Sequence, residues 1–220
     1  MRASSASAPS ERTLSMVDDL SRGFIQSVNI LRFDIAREPR EREAVFRLRY
    51  HVVVERGWIQ ATDLADGMEQ DHYDQKAVHI LGWDGAKLAT ASRLVLPEPG
   101  LKLPTEEAFQ IEVQPRGKVA DMGRQIVARE YSSIKHKVFA ALLAKTWLEM
   151  RAREYSLVCG DFSPAMTRLY RLMGFQVQQL GPAKPYWGEE RAPVMVDVAG
   201  SAAALMERWG NQSTASAASI

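Results

Sequence analysis

The segment SIKHKVFAALLAKTWLEMRAREY, residues 133–155, constrains the fold more than any other stretch of this chain. Ile134, Val138 and Leu142 recur at four-residue steps, and Phe139, Leu143 and Trp147 form a parallel row. Two adjacent rows give one helix with a wide apolar stripe. Strand-like runs lie on either side of it: KVADMGRQIVA before, and the short apolar SLVCGDF after. Upstream, FIQSVNILRFDIA alternates loosely and predicts a first strand around Val28 to Ala36. EPREREAVFRLRYHVVVERG predicts a helix with Val45, Leu48 and Val52 on one face. VHILGW and KLATASRLVL flank Asp84-Gly85, a hairpin signal because both turn positions favour positive φ. A Pro-punctuated connection follows, with a short helix expected at Glu106 to Phe109. Downstream, SPAMTRLYRLMGF predicts a helix capped by Ser163, with Pro164 in its first turn and Gly174 ending it. QVQQLGP and APVMVDV are expected as closing strands. The order predicts an α/β fold with a mixed sheet.

The stretches RASSASAPSERT and NQSTASAASI at the two ends are small, polar and aperiodic, with too little apolar surface to offset the entropy of ordering. Residues 1–22 are therefore expected as a disordered tail, 23–200 as a single domain, and 201–220 as a short helix and flexible tail. No composition break or internal repeat divides Ile25 to Val198. A net charge of +1 gives no argument for nucleic acid as a partner. Cys159 is the lone cysteine, so no disulfide frame exists within one chain. The chain has no apolar run of the ~20 residues that span a bilayer, and its start lacks the apolar core of a secretory signal. A cytoplasmic location is the resulting expectation. His51, His72, His79 and His136 share no metal-ligand spacing. The acidic run from Asp63 to Asp74 fails the alternation of a calcium loop, so no metal is expected.

Strand, long helix, strand, then a short helix ending in LYRLMGF resembles the acyl-transfer core of GNAT-type N-acyltransferases. VFRLRYHVVVERGW, DHYD, ASRLV and ADMGRQIV are similar, in order, to the blocks of the acyl-homoserine lactone (autoinducer) synthases. The run LYRLMGFQVQQLGPAKPYWG looks closer to the related long-chain N-acyl amino acid synthases. The resemblance covers roughly Ile30 to Val198. It implies a GNAT-like fold, a mixed twisted sheet splayed in the middle with helices on both faces. It also implies transfer of a fatty acyl group from acyl carrier protein, or CoA, to an amine. The expected product is an N-acyl amino acid. An acyl-homoserine lactone synthase using S-adenosylmethionine and a non-catalytic carrier-binding module are the alternatives. No permanently bound cofactor is implied: an acyl-phosphopantetheine thioester is the co-substrate and an amino acid the acceptor. The lipid product would bring peripheral membrane association. Oligomeric state stays open.

By the same resemblance Arg49, Trp58, Asp71, Asp74 and Arg93 belong to the acceptor site, and Asp121 and Arg124 to the catalytic block. Buried carboxylates and guanidinium groups are tolerated only when paired. Arg49, Asp71, Asp74, Arg93 and Arg124 are thus expected as one network lining the acceptor pocket, with a purely scaffolding network as the competing reading. Asp63, Asp66 and Glu69 read as solvated charge. Asp121, or a water it orients, is the expected proton acceptor. Backbone N–H groups near Ile126, Val127 and Ala128 are the expected oxyanion donors. Tyr170 matches a tyrosine that protonates the leaving thiolate in many GNAT enzymes, or else packs its ring in a helix. AREYSS carries no glycine, which favours the single phosphate of 4′-phosphopantetheine over a pyrophosphate at the helix start. Arg129, Ser132, Ser133 and Lys135 are the expected phosphate ligands. Arg129, Lys135, Lys137, Arg151 and Arg153 would meet an acidic carrier protein, unless they are simply a solvated face. Tyr186 and Trp187 line a pocket or anchor a proline-rich loop, and Cys159 reads as a small buried hydrophobe.

Overall fold

The computed structural model describes residues 10–217. An eight-stranded sheet runs in the order β1 (Arg32–Ile35), β2 (Val78–Asp84), β3 (Lys87–Val95), β4 (Val119–Val127), β5 (Leu157–Phe162), β8 (Glu189–Asp197), β6 (Gln176–Gln179), with β7 (Lys184–Tyr186) on β8. Neighbours are antiparallel except β4 and β5, which are joined through the long helix α4 (Lys135–Arg151) and run parallel. A parallel pair needs such a crossover, and here it forms the centre of the fold.

Helices cover both faces. Helix α2 (Pro39–Glu55) lays Val45 and Val52 against Leu81, Leu88 and Ala91 of the hairpin. On the other face α4 packs Phe139, Leu142, Leu143 and Trp147 against Ile80, Leu94, Ala120 and Val158. Both apolar rows of α4 are buried, apart from a half-buried Ile134. Helix α3 (Pro104–Phe109) starts two residues before the expected position, with Pro104 in its first turn. Helix α5 (Pro164–Met173) has the anticipated caps: Ser163 accepts the Met166 N–H, and Gly174 closes the helix at φ 103°. Among the described residues, no helix is long and apolar enough to cross a membrane.

Several expectations are corrected. The tail reading of residues 1–22 fails over its second half, where Glu11–Gln26 form helix α1; residues 1–9 lie outside the described residues. Leu14, Val17, Leu20 and Phe24 recur at helical spacing, and Val17 and Leu20 join the core beside Trp147. Trp147 Nε1 donates to Asp18 at 2.7 Å, tying α1 to α4. At the other end α6 (Ala202–Ala217) extends well into the expected tail and docks Leu205 in the core; residues 218–220 are outside the described residues. The first strand is shorter than expected because Val28 and Leu31 form a buried turn ahead of it. In the hairpin, Asp84 still pairs with Lys87, so the turn residues are Gly85 and Ala86. Gly85 alone takes positive φ, 56°, as a Gly-first turn requires. Strand β7 replaces the loop expected at GPAKPYWG.

The decisive feature is a fork. β4 and β5 pair only at Val119↔Leu157, Ala120↔Val158 and Asp121↔Cys159, and then part. Gly160 sits at the crotch: a Cβ there would lie 2.7 Å from the Met122 carbonyl oxygen. Beyond it, Met122 to Val127 present a strand edge that β5 leaves unpaired. A bulge opposite Ala91 and Arg93 puts Arg124 at φ 53°, uncommon for a non-glycine residue and a local bend in β4.

Candidate active site

A cavity of about 1660 Å³ passes through the fork. Its walls include Met122 to Val127 of β4 and Asp161 and Phe162 of β5. Toward α1, α4 and α5 an apolar surface of Phe24, Phe139, Met166, Leu169, Met173 and Trp209 is bordered by polar and charged side chains, among them Asp19, Arg22, Lys135 and Lys137. Toward α2 and β8 it is charged and aromatic, with Arg49, Glu69, Arg124, Trp58, Trp187 and Arg191.

Arg49, Glu69 and Arg124 of the charged wall belong to a network whose other members, Asp71, Asp74 and Arg93, were expected to line the pocket but lie behind its wall. In DHYD, Asp71 Oδ1 accepts the Tyr73 N–H at 3.0 Å and Asp74 Oδ2 accepts the Asp71 N–H at 2.8 Å. This reciprocal cap over a short 3₁₀ turn explains the three-residue spacing of the two aspartates. The remaining lone pairs meet guanidinium groups from three distant elements. Arg49 of α2 donates to both oxygens of Asp74 at 2.7 and 3.1 Å and also bonds Glu69 through Nε. Arg93 of β3 reaches Asp71 at 2.6 Å and Asp74 at 3.1 Å. Arg124 donates to Glu69 at 3.2 and 3.3 Å and to Asp71 at 3.3 Å, and lies 4.3 Å from the Trp187 ring.

The cluster is deeply buried: Arg49 is 1% exposed, Arg93 2% and Asp74 3%. Burial favours neutral Asp74, but Arg49 and Arg93 outweigh it and hold the carboxyl down at about 2. Burial likewise opposes the charge on Arg49, and Glu69 and Asp74 overcome it. Glu69 corrects the sequence reading. It is 2% exposed and a full network member, whereas Asp63 and Asp66 are exposed as anticipated. Without Glu69 three guanidinium groups would face two carboxylates; with it the cluster is neutral.

Other expected site residues are placed differently. Asp121 does not line the cavity. Its Oδ2 accepts the Thr105 N–H at 2.7 Å, where α3 begins, and Cys159 Sγ lies 3.5 Å away. Strand alternation turns Asp121 into the pocket of Tyr73, Val95 and Leu103, where burial raises its carboxyl to about 6. Tyr170 is 1% exposed among Phe139, Phe162 and Phe175, and its hydroxyl bonds Gln125 Oε1 at 3.1 Å. It borders a small apolar cavity of about 60 Å³ that adjoins the large one across Phe24, Met122 and Met173, and burial raises its phenol. Ile126, Val127 and Lys135 line the large cavity, while Ala128 N–H is spent on Ala89 O at 2.8 Å. Arg129, Ser132 and Ser133 are off its wall, and Arg129 pairs with Glu55 at 2.7 Å. Arg151 is taken by Glu11 and Arg153 by Glu149. Lys135 and Lys137 have no acidic partner within 4 Å among the described residues and stand on the cavity wall. Trp187 lines the cavity; Tyr186 instead packs against Phe109 at 5.5 Å. Cys159 is buried, and burial with the nearby Asp121 carboxylate raises its thiol. Among the described residues, no cluster of His, Cys, Asp and Glu has the arrangement of a metal site.

The same architecture occurs in known proteins. MesI, a CoA-dependent acyl-homoserine lactone synthase, superposes with TM-score 0.65 at 21% identity, over 81% of this chain and 95% of that one. FeeM, an N-acyl amino acid synthase from uncultured soil microbes, gives 0.57 at 18% identity over 76% of this chain and 88% of that one. A Lactobacillus plantarum protein assigned as an N-acetyltransferase gives 0.52 at 18% identity over 76% of this chain and 98% of that one. These likenesses place the fold among the GNAT-like and autoinducer-synthase folds. No curated protein matches by sequence. The family profile for the N-acyl amino acid synthase FeeM matches residues 44–196, from the helix that carries Arg49 through the fork to β8. With more than half of its length inside that match, the chain belongs to the FeeM family of N-acyl amino acid synthases and is an N-acyltransferase.

Proposed function

We propose that the protein transfers a long-chain fatty acyl group from the phosphopantetheine thioester of acyl carrier protein to the α-amine of an amino acid, giving an N-acyl amino acid in the cytoplasm. CoA thioester is the alternative donor. The observation that carries this reading is a continuous cavity crossing the sheet at the β4/β5 fork, apolar at one end and charged and aromatic at the other. An acyl chain suits the first end, where Phe24, Phe139 and Met173 offer it apolar surface. A zwitterionic amino acid suits the second, beside Trp58, Trp187 and Arg124. The buried salt-bridge network shapes and rigidifies that end. Arg49, Asp74 and Arg93 satisfy one another and so act as frame, while Arg124 and Trp187 present faces to the acceptor.

At the fork the amine attacks the thioester carbonyl. The carbonyl oxygen gains charge beside the unpaired edge of β4, whose N–H groups are fixed before the reaction. The C–S bond then breaks, and the thiolate takes the surplus proton of the attacking nitrogen, which keeps one N–H as the amide. Tyr170, enclosed by aromatic rings, is read as a packing residue. Lys135 and Lys137 flank the donor entrance as positive charges with no acidic partner among the described residues. Reversing both to Glu is expected to lower kcat/KM with acyl carrier protein about tenfold or more and to flatten its salt dependence. With acyl-CoA the loss is expected to be smaller. Equal losses with both donors would argue against a carrier protein.

Product analysis tests the whole reading. Lipid extracts of cells expressing the chain are expected to contain amide-linked N-acyl amino acids, identified by mass and base stability. An acyl-homoserine lactone in their place, or no new acyl amide, would overturn it.

A further inference from the structure

We propose that Asp161 is the general base that takes the ammonium proton from the acceptor, an inference that rests on the acyl-transfer reading above. Four carboxylate side chains line the cavity among the described residues: Asp19, Glu69, Asp161 and Glu189. Asp19 is 78% exposed on α1 and bonded to Arg22. Both oxygens of Glu69 are occupied by guanidinium groups from Arg49 and Arg124. Glu189 stands at the start of β8, twice as exposed as Asp161. Asp161 alone is shielded, at 17% exposure, and half engaged. Its Oδ1 accepts a 2.7 Å hydrogen bond from Arg191 Nη1, and Oδ2 accepts none among the described residues.

The position fits the task. Asp161 lies two residues beyond Cys159, the last β5 residue paired with β4, so it stands on the free arm of the fork across from the β4 edge. Arg191 holds it there. The guanidinium lies 5.0 Å from the Trp58 ring and 3.6 Å from Glu189, which fixes the Asp161 carboxylate without consuming both oxygens. An acceptor whose α-amine meets Oδ2 would point its nitrogen into the slot through which the thioester must pass. Asp121, on the paired stretch of β4, has the right chemistry, but α3 covers it there: its Oδ2 is taken by the Thr105 N–H, and it is off the cavity wall.

The proton count closes. The ammonium gives one proton to Asp161, leaving a neutral amine and a carboxylic acid. The amine nitrogen bonds the thioester carbon and the C–S bond breaks. The second nitrogen proton goes to the departing thiolate, and Asp161 returns its proton to water. Arg191 is then a positioning residue, not a catalytic one.

The test compares wild type with Asp161→Asn, which can still accept the Arg191 hydrogen bond. Octanoyl, lauroyl and palmitoyl thioesters of both acyl carrier protein and CoA are offered with an equimolar mixture of the proteinogenic amino acids, and N-acyl product is read by mass spectrometry. Removing a positioned base is expected to cost about 100-fold or more in kcat with little change in acceptor KM. Raising the pH, which supplies free amine, is expected to restore rate to Asp161→Asn more steeply than to wild type. Asp161→Gly, which vacates the site, is expected to regain activity in acetate. Wild-type-like turnover of Asp161→Asn with an unchanged pH profile would overturn the proposal while leaving the acyl-transfer reading intact. Failure of acetate to rescue Asp161→Gly, together with a pH-independent loss in Asp161→Asn, would reassign Asp161 to structure. No N-acyl product from wild type would overturn both.

Discussion

Replacing Arg49 with Met is expected to destabilise the protein by about 3–5 kcal/mol, because it leaves two buried carboxylates short of their main partner. Arg49 makes a two-pronged contact with Asp74 and a third bond to Glu69, and all three side chains are buried. Arg93 and Arg124 remain, so the cluster falls from neutral to one net negative charge. Arg49→Lys keeps the charge but loses the fork geometry, and a smaller loss is expected. The pH dependence has a definite sign. The folded-state pKa of Asp74 is depressed from 3.8 to about 2, so its ionised form stabilises the fold above about pH 4. That contribution, roughly 2–3 kcal/mol, is lost as the pH falls toward 2. In Arg49→Met much of it is already gone, so the gap between wild type and variant should narrow over the same window. Urea unfolding at neutral pH and near pH 3 measures both. A gap below about 1 kcal/mol, constant with pH, would contradict a network held together by mutual charge.

Gly123→Leu is expected to abolish acyl transfer, by at least about 100-fold, in a protein that still folds. Gly123 is on the cavity wall, where a Cβ would meet no heavy atom within 4 Å, and its backbone conformation is open to any residue. A leucine there would occupy the slot where thioester and amine must meet, and misplacements near 1 Å at a reacting centre cost on this scale. Gly160→Ala should behave in the opposite way. Its Cβ would strike the Met122 carbonyl at 2.7 Å, backbone that cannot swing aside, and a loss of roughly 1–3 kcal/mol is expected. Thermal melts and thiol release, measured on both variants, separate a blocked slot from a wedged crotch. Full activity in Gly123→Leu would mean that the chemistry occurs elsewhere.

The parts legible in the sequence are those fixed by local rules. The α4 rows are read from spacing alone, and α5 from Ser163, Pro164 and Gly174 at its ends. The family resemblance singles out Arg49, Asp71, Asp74, Arg93 and Arg124, and the rule that buried charges must be paired then anticipates their contacts. The same rule, carried to a charge count, calls for a third carboxylate, and Glu69 lies two residues before Asp71. Helix α1 is legible too in Leu14, Val17, Leu20 and Phe24, but the adjoining Ser- and Ala-rich start obscures it. Which stretch of a strand opens onto a cavity is not legible. Asp121 closes the paired stretch of β4 and Asp161 stands on the free arm of β5, and only the three-dimensional path of the two strands decides which one meets substrate. Long-range pairs are equally hidden. Arg153 and Glu149 are four apart and readable, whereas Arg129 with Glu55 and Arg151 with Glu11 depend on the finished fold.

The most direct measurement is a crystal structure of the protein with a non-reactive thioether analogue of a long-chain acyl-pantetheine. The pantetheine arm is expected between β4 and β5 just beyond the Asp121↔Cys159 pair, the acyl chain against Phe24, Phe139 and Met173, and the carbonyl carbon facing Asp161 and Trp187. A ligand bound outside the fork, or β4 and β5 closed on one another in its presence, would contradict the assignment of the cavity as the place of acyl transfer.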